Sequence, residues 1–195
     1  MRYDKGHKEA TRQRIIEAAA ARFREEGIAA VGVANLMSDI GLTQGGFYNH
    51  FESKDDLARE AIMLAWQGTY ERLRKALERA KHGGIAALID TYLSESHRNR
   101  VAEGCVAAAL SAEIARGSES LRDAFSEGTA QTTALIAGAL PGNLTPKQRH
   151  GIAMAVLSSL VGTLMLARAV SDPAMSDELL AQGRRAALAL AEVAK

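Results

Sequence analysis

The sequence predicts an all-α protein, and three observations carry that prediction. Alanine and leucine, both strong helix formers, are abundant, while aromatic residues make up only 5% of the chain. No segment alternates apolar and polar residues with the period of two that a half-buried strand needs. Glycines and three prolines punctuate long runs of helical apolar spacing.

The first helix is expected from about 9 to 26, where Ile15, Ala18, Ala19, Arg22 and Phe23 recur at helical spacing until Gly27 stops it. A short helix, Val33 to Ile40, follows between Gly32 and Gly41. Thr43 is placed to cap a third, since its hydroxyl can accept an unpaired backbone N–H. Ser53, with Asp56 three residues on, resembles a capping box and opens a fourth helix over 54–82. Leu57, Ile62, Leu64, Trp66, Leu73 and Leu77 form its apolar content, and the stretch His82-Gly83-Gly84 ends it. Five more helices are expected at about 84–100, 105–116, 118–140, 146–170 and 177–194. They are separated at Gly104, at 116–118, at 141–146 with Pro141 and Pro146, and at 171–176 with Pro173. The expected organisation is a three-helix unit at 8–53, a connecting helix 54–82, and a larger helical domain spanning 54–195.

Composition narrows the function. The chain has 195 residues, 47% of them apolar, so it can bury a sizeable core. A net charge of +1 gives no global basic field. The first fourteen residues nevertheless set Arg2, Lys5, Lys8, Arg12 and Arg14 against Asp4 and Glu9, a basic arm that matters only if a DNA-binding unit follows. No charge-free apolar run reaches the ~20 residues of a membrane span. The segment 151–170 is bounded by charges, carries Ser158, Ser159 and Thr163, and reads as a buried helix. The N-terminus lacks the apolar stretch of a signal peptide, and the single cysteine, Cys105, has no internal disulfide partner, so a cytoplasmic protein is expected. The five histidines are scattered, and no HExxH, GxSxG, P-loop or GxGxxG occurs. No enzyme, metal site or cofactor is expected.

The segment "GLTQGGFYNHF", Gly41 to Phe51, carries the chemistry. Two short helices joined by Gly41-Leu42-Thr43 form a helix-turn-helix, whose second helix enters the DNA major groove. Gly45 and Gly46 weaken that helix but remove Cβ atoms where its first turn must approach the sugar-phosphate backbone. Tyr48 and His50 can donate to phosphates, and Lys54 adds a charge. Gln44 can pair with adenine N6 and N7. Phe47 and Phe51, four apart, share a face that pins the helix from behind.

At these residues the sequence resembles the TetR family of one-component bacterial transcription regulators. The resemblance rests on the helix ending "EEGIAAV" and on "VANLMSDIGLTQGGFYNHFESKDDL", which meets the family pattern from Gly41 to Leu57 and covers roughly the first 60 residues. It implies a homodimer on a palindromic double-stranded DNA operator, with a small-molecule effector pocket in each C-terminal domain. Thr43, Tyr48, His50 and Lys54 match phosphate-contacting positions; Gln44, Gly45 and Asn49 match positions near bases. Many members have Thr or Ser around 31–32, where this chain has Val31 and Gly32, so no contact is assigned there. Met37 replaces the usual small residue.

The effector pocket is expected among the later helices, with Met63, Trp66 and Tyr70 on one face of the fourth helix, Tyr92 on the fifth and Phe125 on the seventh. A plain core stripe would look the same. Cys105 is expected in the first turn of a helix, where thiolate is favoured. Gly104-Cys105-Val106 with Ser111-Ala112-Glu113 resembles a TetR subgroup in which some members sense electrophiles or oxidants through that cysteine and others do not. The alternative is a small buried residue at a helix junction. The last two helices carry small residues, Ser158, Ser159, Gly162, Ala187 and Ala191, that allow close helix approach; family resemblance makes them the dimer interface. The rival function is a helical protein–protein adaptor with a degenerate DNA-binding unit. Within the family, repression is the expected sign, and activation the alternative.

Overall fold

The computed structural model describes residues 5–80, 84–140 and 142–192. Arg2 and Asp4 of the basic arm, His82 and Gly83 after the fourth helix, and Pro141 lie outside the described residues. Within them the chain folds into helices α1 (Lys5–Glu26), α2 (Val33–Asp39), α3 (Gln44–Phe47), α4 (Lys54–Arg79), α5 (Gly84–Tyr92), α6 (Glu95–Asn99), α7 (Val106–Ile114), α8 (Glu119–Ala139), α9 (Pro146–Ala169) and α10 (Pro173–Glu192). A 3-10 turn, Val101–Glu103, precedes α7. The described residues contain no strand.

The N-terminal unit closes over Ile15, Ala19, Phe23, Val31, Leu36, Met37, Phe47 and Phe51, all buried. Two glycines in the left-handed region set its corners. Gly27 (φ +90°) turns the chain out of α1, and Gly41 (φ +74°) turns it between α2 and α3. α4 packs on α1 and then runs on to pack against α8, so one continuous helix belongs to both halves. Gly128 of α8 lies under the Trp66 ring, where a Cβ would come within 2.1 Å of the indole. α9 and α10 pair along their length, with α9 also against α8.

Three expectations change. The basic arm is not free along its length, because α1 begins at Lys5 and two of its cations are used internally. Arg12 pairs with Glu60 and lies 4.7 Å over the Phe51 ring, and Arg14 donates to the Ile40 carbonyl at 2.9 Å. The helix expected over 84–100 is two helices. Ser94 sits in extended conformation, caps α6 by accepting from the His97 N–H, and Arg184 takes the Leu93 carbonyl at 2.8 Å. Pro173 begins α10 instead of separating it from α9. A proline in the first turn leaves no useful donor unpaired, and the Asp172 carboxylate accepts the Ala174 N–H.

Candidate nucleic-acid interface and sensing core

The short helix α3 is built by its ends. Thr43 Oγ1 accepts the Gly46 N–H at 3.3 Å, which leaves the hydroxyl proton free to donate outward. Phe47 and Phe51 are both buried and stack with centroids 5.5 Å apart, so the helix is anchored from behind. Gln44, Gly45, Tyr48 and Asn49 are all exposed, and Tyr48, at 65% exposure, stands edge-on to Phe47. A Cβ at Gly45 would meet nothing within 4 Å, and one at Gly46 would make only ordinary contact with Thr43 and Met37. Nothing inside the protein therefore requires glycine at 45.

His50 is half-buried with its Nδ1 enclosed and unpartnered. Burial, then Lys8 and Arg12, hold its pKa below the ordinary value, so the ring is neutral and can donate through its other nitrogen. Lys54 reaches the Ala29 carbonyl at 3.4 Å, keeping two ammonium protons for another acceptor. Thr43, Gln44, Gly45, Tyr48 and Asn49 thus lie on one short exposed stretch, with His50 and Lys54 partly buried at its border.

The predicted effector residues divide. Trp66 and Phe125 meet with rings 5.6 Å apart, and Trp66 is buried. Tyr70 lines a separate, mostly apolar cleft with Leu77, Gln131 and Leu135. Met63 stands apart from the Trp66–Phe125 pair, 40% exposed with its sulfur accepting from Arg59 Nη1 at 3.5 Å. Tyr92 and Cys105 are fully buried together.

Cys105 is the N-cap of α7 and not a first-turn residue. Its N–H donates to His97 Nε2 at 3.0 Å, while His97 Nδ1 lies 2.6 Å from the Tyr92 carbonyl. A carbonyl only accepts and an amide only donates, so the imidazole is neutral with its proton on Nδ1. Burial, aided by Arg72 and Arg168, pushes the His97 pKa down to about 4. The unfolded chain binds a proton near pH 6.5 and the folded chain only near pH 4, so stability is full above about 6.5 and falls through that window. The loss approaches roughly 3 kcal/mol. Urea unfolding at fixed protein concentration should show this acid slope, and His97→Gln should flatten it by about one proton.

Around Cys105 the structure gathers residues that sequence spacing does not connect: Arg24 from α1, Arg72 from α4 and Arg168 from α9. Glu113, at the other end of α7, accepts the Ile28 and Ala29 N–H groups at 2.9 and 2.5 Å. The residues expected at the dimer interface also divide. Ala187 and Ala191 are fully buried inside the protomer and are corrected to internal packing, since α10 lies along α9. Ser158 is exposed, and Ser159 and Gly162 partly so. Sequence reading missed Met154, Met165 and Leu166, which are exposed on α9 at 52%, 39% and 57%. Their signal was a helix apolar on every side.

Comparison with known proteins agrees with this architecture. Residues 15–61 match the model of bacterial regulatory proteins of the tetR family. Residues 82–182, just over half the chain, match the C-terminal domain of LmrA/YxaF-like transcriptional regulators. A regulator of the helix-turn-helix type from Mycobacterium tuberculosis, Rv0196, is 29% identical over 83% of this chain and 86% of its own. A Bacillus subtilis regulator, YfiR, is 32% identical over 47% of this chain, and the match spans 43% of that protein. The Escherichia coli repressor NemR is 24% identical over 67% of each chain. The reduced NemR crystal structure superposes with a TM-score of 0.75 at 19% identity, covering 91% of this chain and 95% of that one. A TetR-family regulator from Cytophaga hutchinsonii superposes at 0.79 and 19% identity, covering 97% and 96%; both likenesses show the fold. This chain belongs to the TetR family and is a helix-turn-helix transcriptional regulator.

Proposed function

We propose that the protein is a homodimeric repressor that grips a palindromic operator through residues 43–54 and lets go when a small molecule or electrophile reaches the core around Cys105. Residues 8–53 form the DNA-binding domain, and 54–195 the effector and dimerisation domain, with α4 shared. The observation that carries the DNA reading is Gly45: it weakens a helix of four residues, yet a Cβ there would meet nothing within 4 Å in the protein. The need for glycine then comes from outside, where the helix start lies against the sugar-phosphate backbone. Gln44 reads a base, with Gly45 and Asn49 beside it, and Thr43, Tyr48, His50 and Lys54 hold phosphates. The repressor NemR is the relative that supports the sign.

Electrophoretic shifts on DNA upstream of the gene test this reading. Tyr48→Phe and Lys54→Ala should weaken binding to all sequences, Lys54→Ala reducing the salt slope by about one. Gln44→Ala should relax preference at one base position, by about 1–3 kcal/mol. An unchanged sequence logo for Gln44→Ala removes that assignment, and absence of any shift favours the adaptor reading.

The dimer reading rests on α9. Its apolar window is long enough to cross a membrane by composition, yet only 33% of that window is buried inside the protomer. Met154, Ser158, Gly162 and Met165 fall on one side of that helix, and a second copy of the same face is the cover that fits. For the sensing core, Cys105→Ser should blunt release by N-ethylmaleimide; equal responses of mutant and wild type leave Cys105 as a packing residue. The relatives reported above are named as transcriptional regulators, and the expected site of action is the cytoplasm.

A further inference from the structure

Arg24, Arg72 and Arg168 come from three helices and are each partly buried; burial lowers the pKa of all three, and the charge of Arg72 adds to the lowering at Arg24 and Arg168. Guanidiniums taken from water are ordinarily matched by carboxylates. Here, among the described residues, none of the three has an ion-pair partner. Arg24 donates to the Ala102 carbonyl and Arg72 to that of Glu103. Arg168 donates to the Arg98 and His97 carbonyls at 3.1 and 2.7 Å. Glu103, the carboxylate that both Arg24 and Arg72 feel, is turned to Arg100.

The unsatisfied groups of this cluster are all donors. Arg24 Nε and Arg168 Nη1 are buried without partners. The Tyr92 hydroxyl, beside the Cys105 thiol, is fully buried without an oxygen or nitrogen partner, and its burial keeps it protonated. Buried donors without acceptors destabilise the fold, and charged ones more so. What would satisfy them is an anion. Gly104 is shaped for the same cluster: a Cβ there would come within 2.6 Å of Arg168 Nη2.

Space for such a group adjoins. A cavity of about 490 Å³ has Arg72 of the cluster on its wall, with His97, Thr91, Ser94, Ser96 and the exposed Asp90; Arg24, Arg168 and Tyr92 are not on that wall. The Arg100–Glu103 pair stands on its wall. We propose that this cavity is the effector site and that it takes a small organic oxyanion, its charged group against Arg72 with Arg24 and Arg168 behind. This deepens the regulatory reading given above and rests on it. Because Arg24 belongs to α1, an occupant that draws in its guanidinium acts directly on the DNA-binding unit.

Calorimetric titration of the full-length protein tests the site, with benzoate and inorganic phosphate as probes, benzyl alcohol as the neutral control, and ionic strength fixed by sodium chloride. Benzoate or phosphate should saturate at one per protomer, benzyl alcohol should not, and the preferred probe tells carboxylate from phosphate chemistry. Arg72→Gln and Arg168→Gln should each raise Kd at least tenfold, and Arg72→Lys should lose less. Thermal unfolding of the apo variants guards the interpretation: an arginine held ready for an anion can be removed with the melting point unchanged or raised. The proposal is overturned if neither anion saturates, or if Arg72→Gln and Arg168→Gln bind as the wild type does. An operator shift measured without either anion is independent, so failure here leaves the regulator reading standing, and loss of the shift alone leaves the site standing.

Discussion

Replacing Gly162 by glutamate is expected to turn the protein into a folded monomer and to reduce operator affinity at least a hundredfold. A Cβ at 162 meets nothing within 4 Å in the protomer and the position is partly exposed, so the substitution is expected to leave the fold of one copy intact. The face around it is apolar, with Met154, Met165 and Leu166 exposed nearby on the same helix. In a two-fold dimer the same patch meets its own copy, so one substitution buries two like charges together. An uncompensated buried charge costs several kcal/mol, and each 1.4 kcal/mol is tenfold in association. A monomer reads one half-site and loses the linkage between two, which carries much of the affinity for a palindrome. Sedimentation should report the monomer, circular dichroism unchanged helix content, and gel shifts the lost affinity. A dimer of unchanged strength would move the interface away from this face of α9.

How far the sequence could be read depended on the range of the interactions. The helix-turn-helix is written in local chemistry. Thr43 and Ser53 cap where their hydroxyls predict, Gly27 and Gly41 turn where only glycine turns easily, and Phe47 and Phe51 meet because they are four apart. The break at Ser94 was missed because half of it is tertiary. Ser94 itself is a capping residue, but the Leu93 carbonyl is released from the helix to an arginine 91 positions away. Ala187 and Ala191 were read as interface because small residues permit close approach to any helix, and composition does not say whose. The cluster of Arg24, Arg72 and Arg168 had no sequence signal at all. Its members are separated by dozens of residues, and each alone reads as a solvated helix cation. Cys105 was legible as a point of interest, whereas its surroundings were not.

Glu113→Ala is expected to destabilise the protein by about 2 kcal/mol, or roughly 4–8 °C in melting point for a chain of this size. The carboxylate accepts two backbone N–H groups, those of Ile28 and Ala29, in the turn that follows Gly27. Bonds from amides to a charged acceptor are stronger than neutral ones, and this turn aims α2 and α3. The Ala29 carbonyl in turn accepts from Lys54, proposed above to hold a phosphate. One residue thus joins the end of α7, whose other end is Cys105, to a DNA-gripping side chain. α7 spans about 12 Å between them as a stiff rod, given its 1.5 Å rise per residue. Glu113→Gln keeps one acceptor and turns an amide N–H₂ toward the other donor, so it should lie between wild type and alanine. Hydrogen exchange should lose protection at the Ile28 and Ala29 amides in the order Gln, then Ala. Operator dissociation should quicken about tenfold in Glu113→Ala, because the reading helix is no longer held against the effector domain. Unchanged protection at these two amides, with an unchanged melting point, would leave Glu113 a surface carboxylate and require the signal to reach the DNA-binding unit through α4 alone.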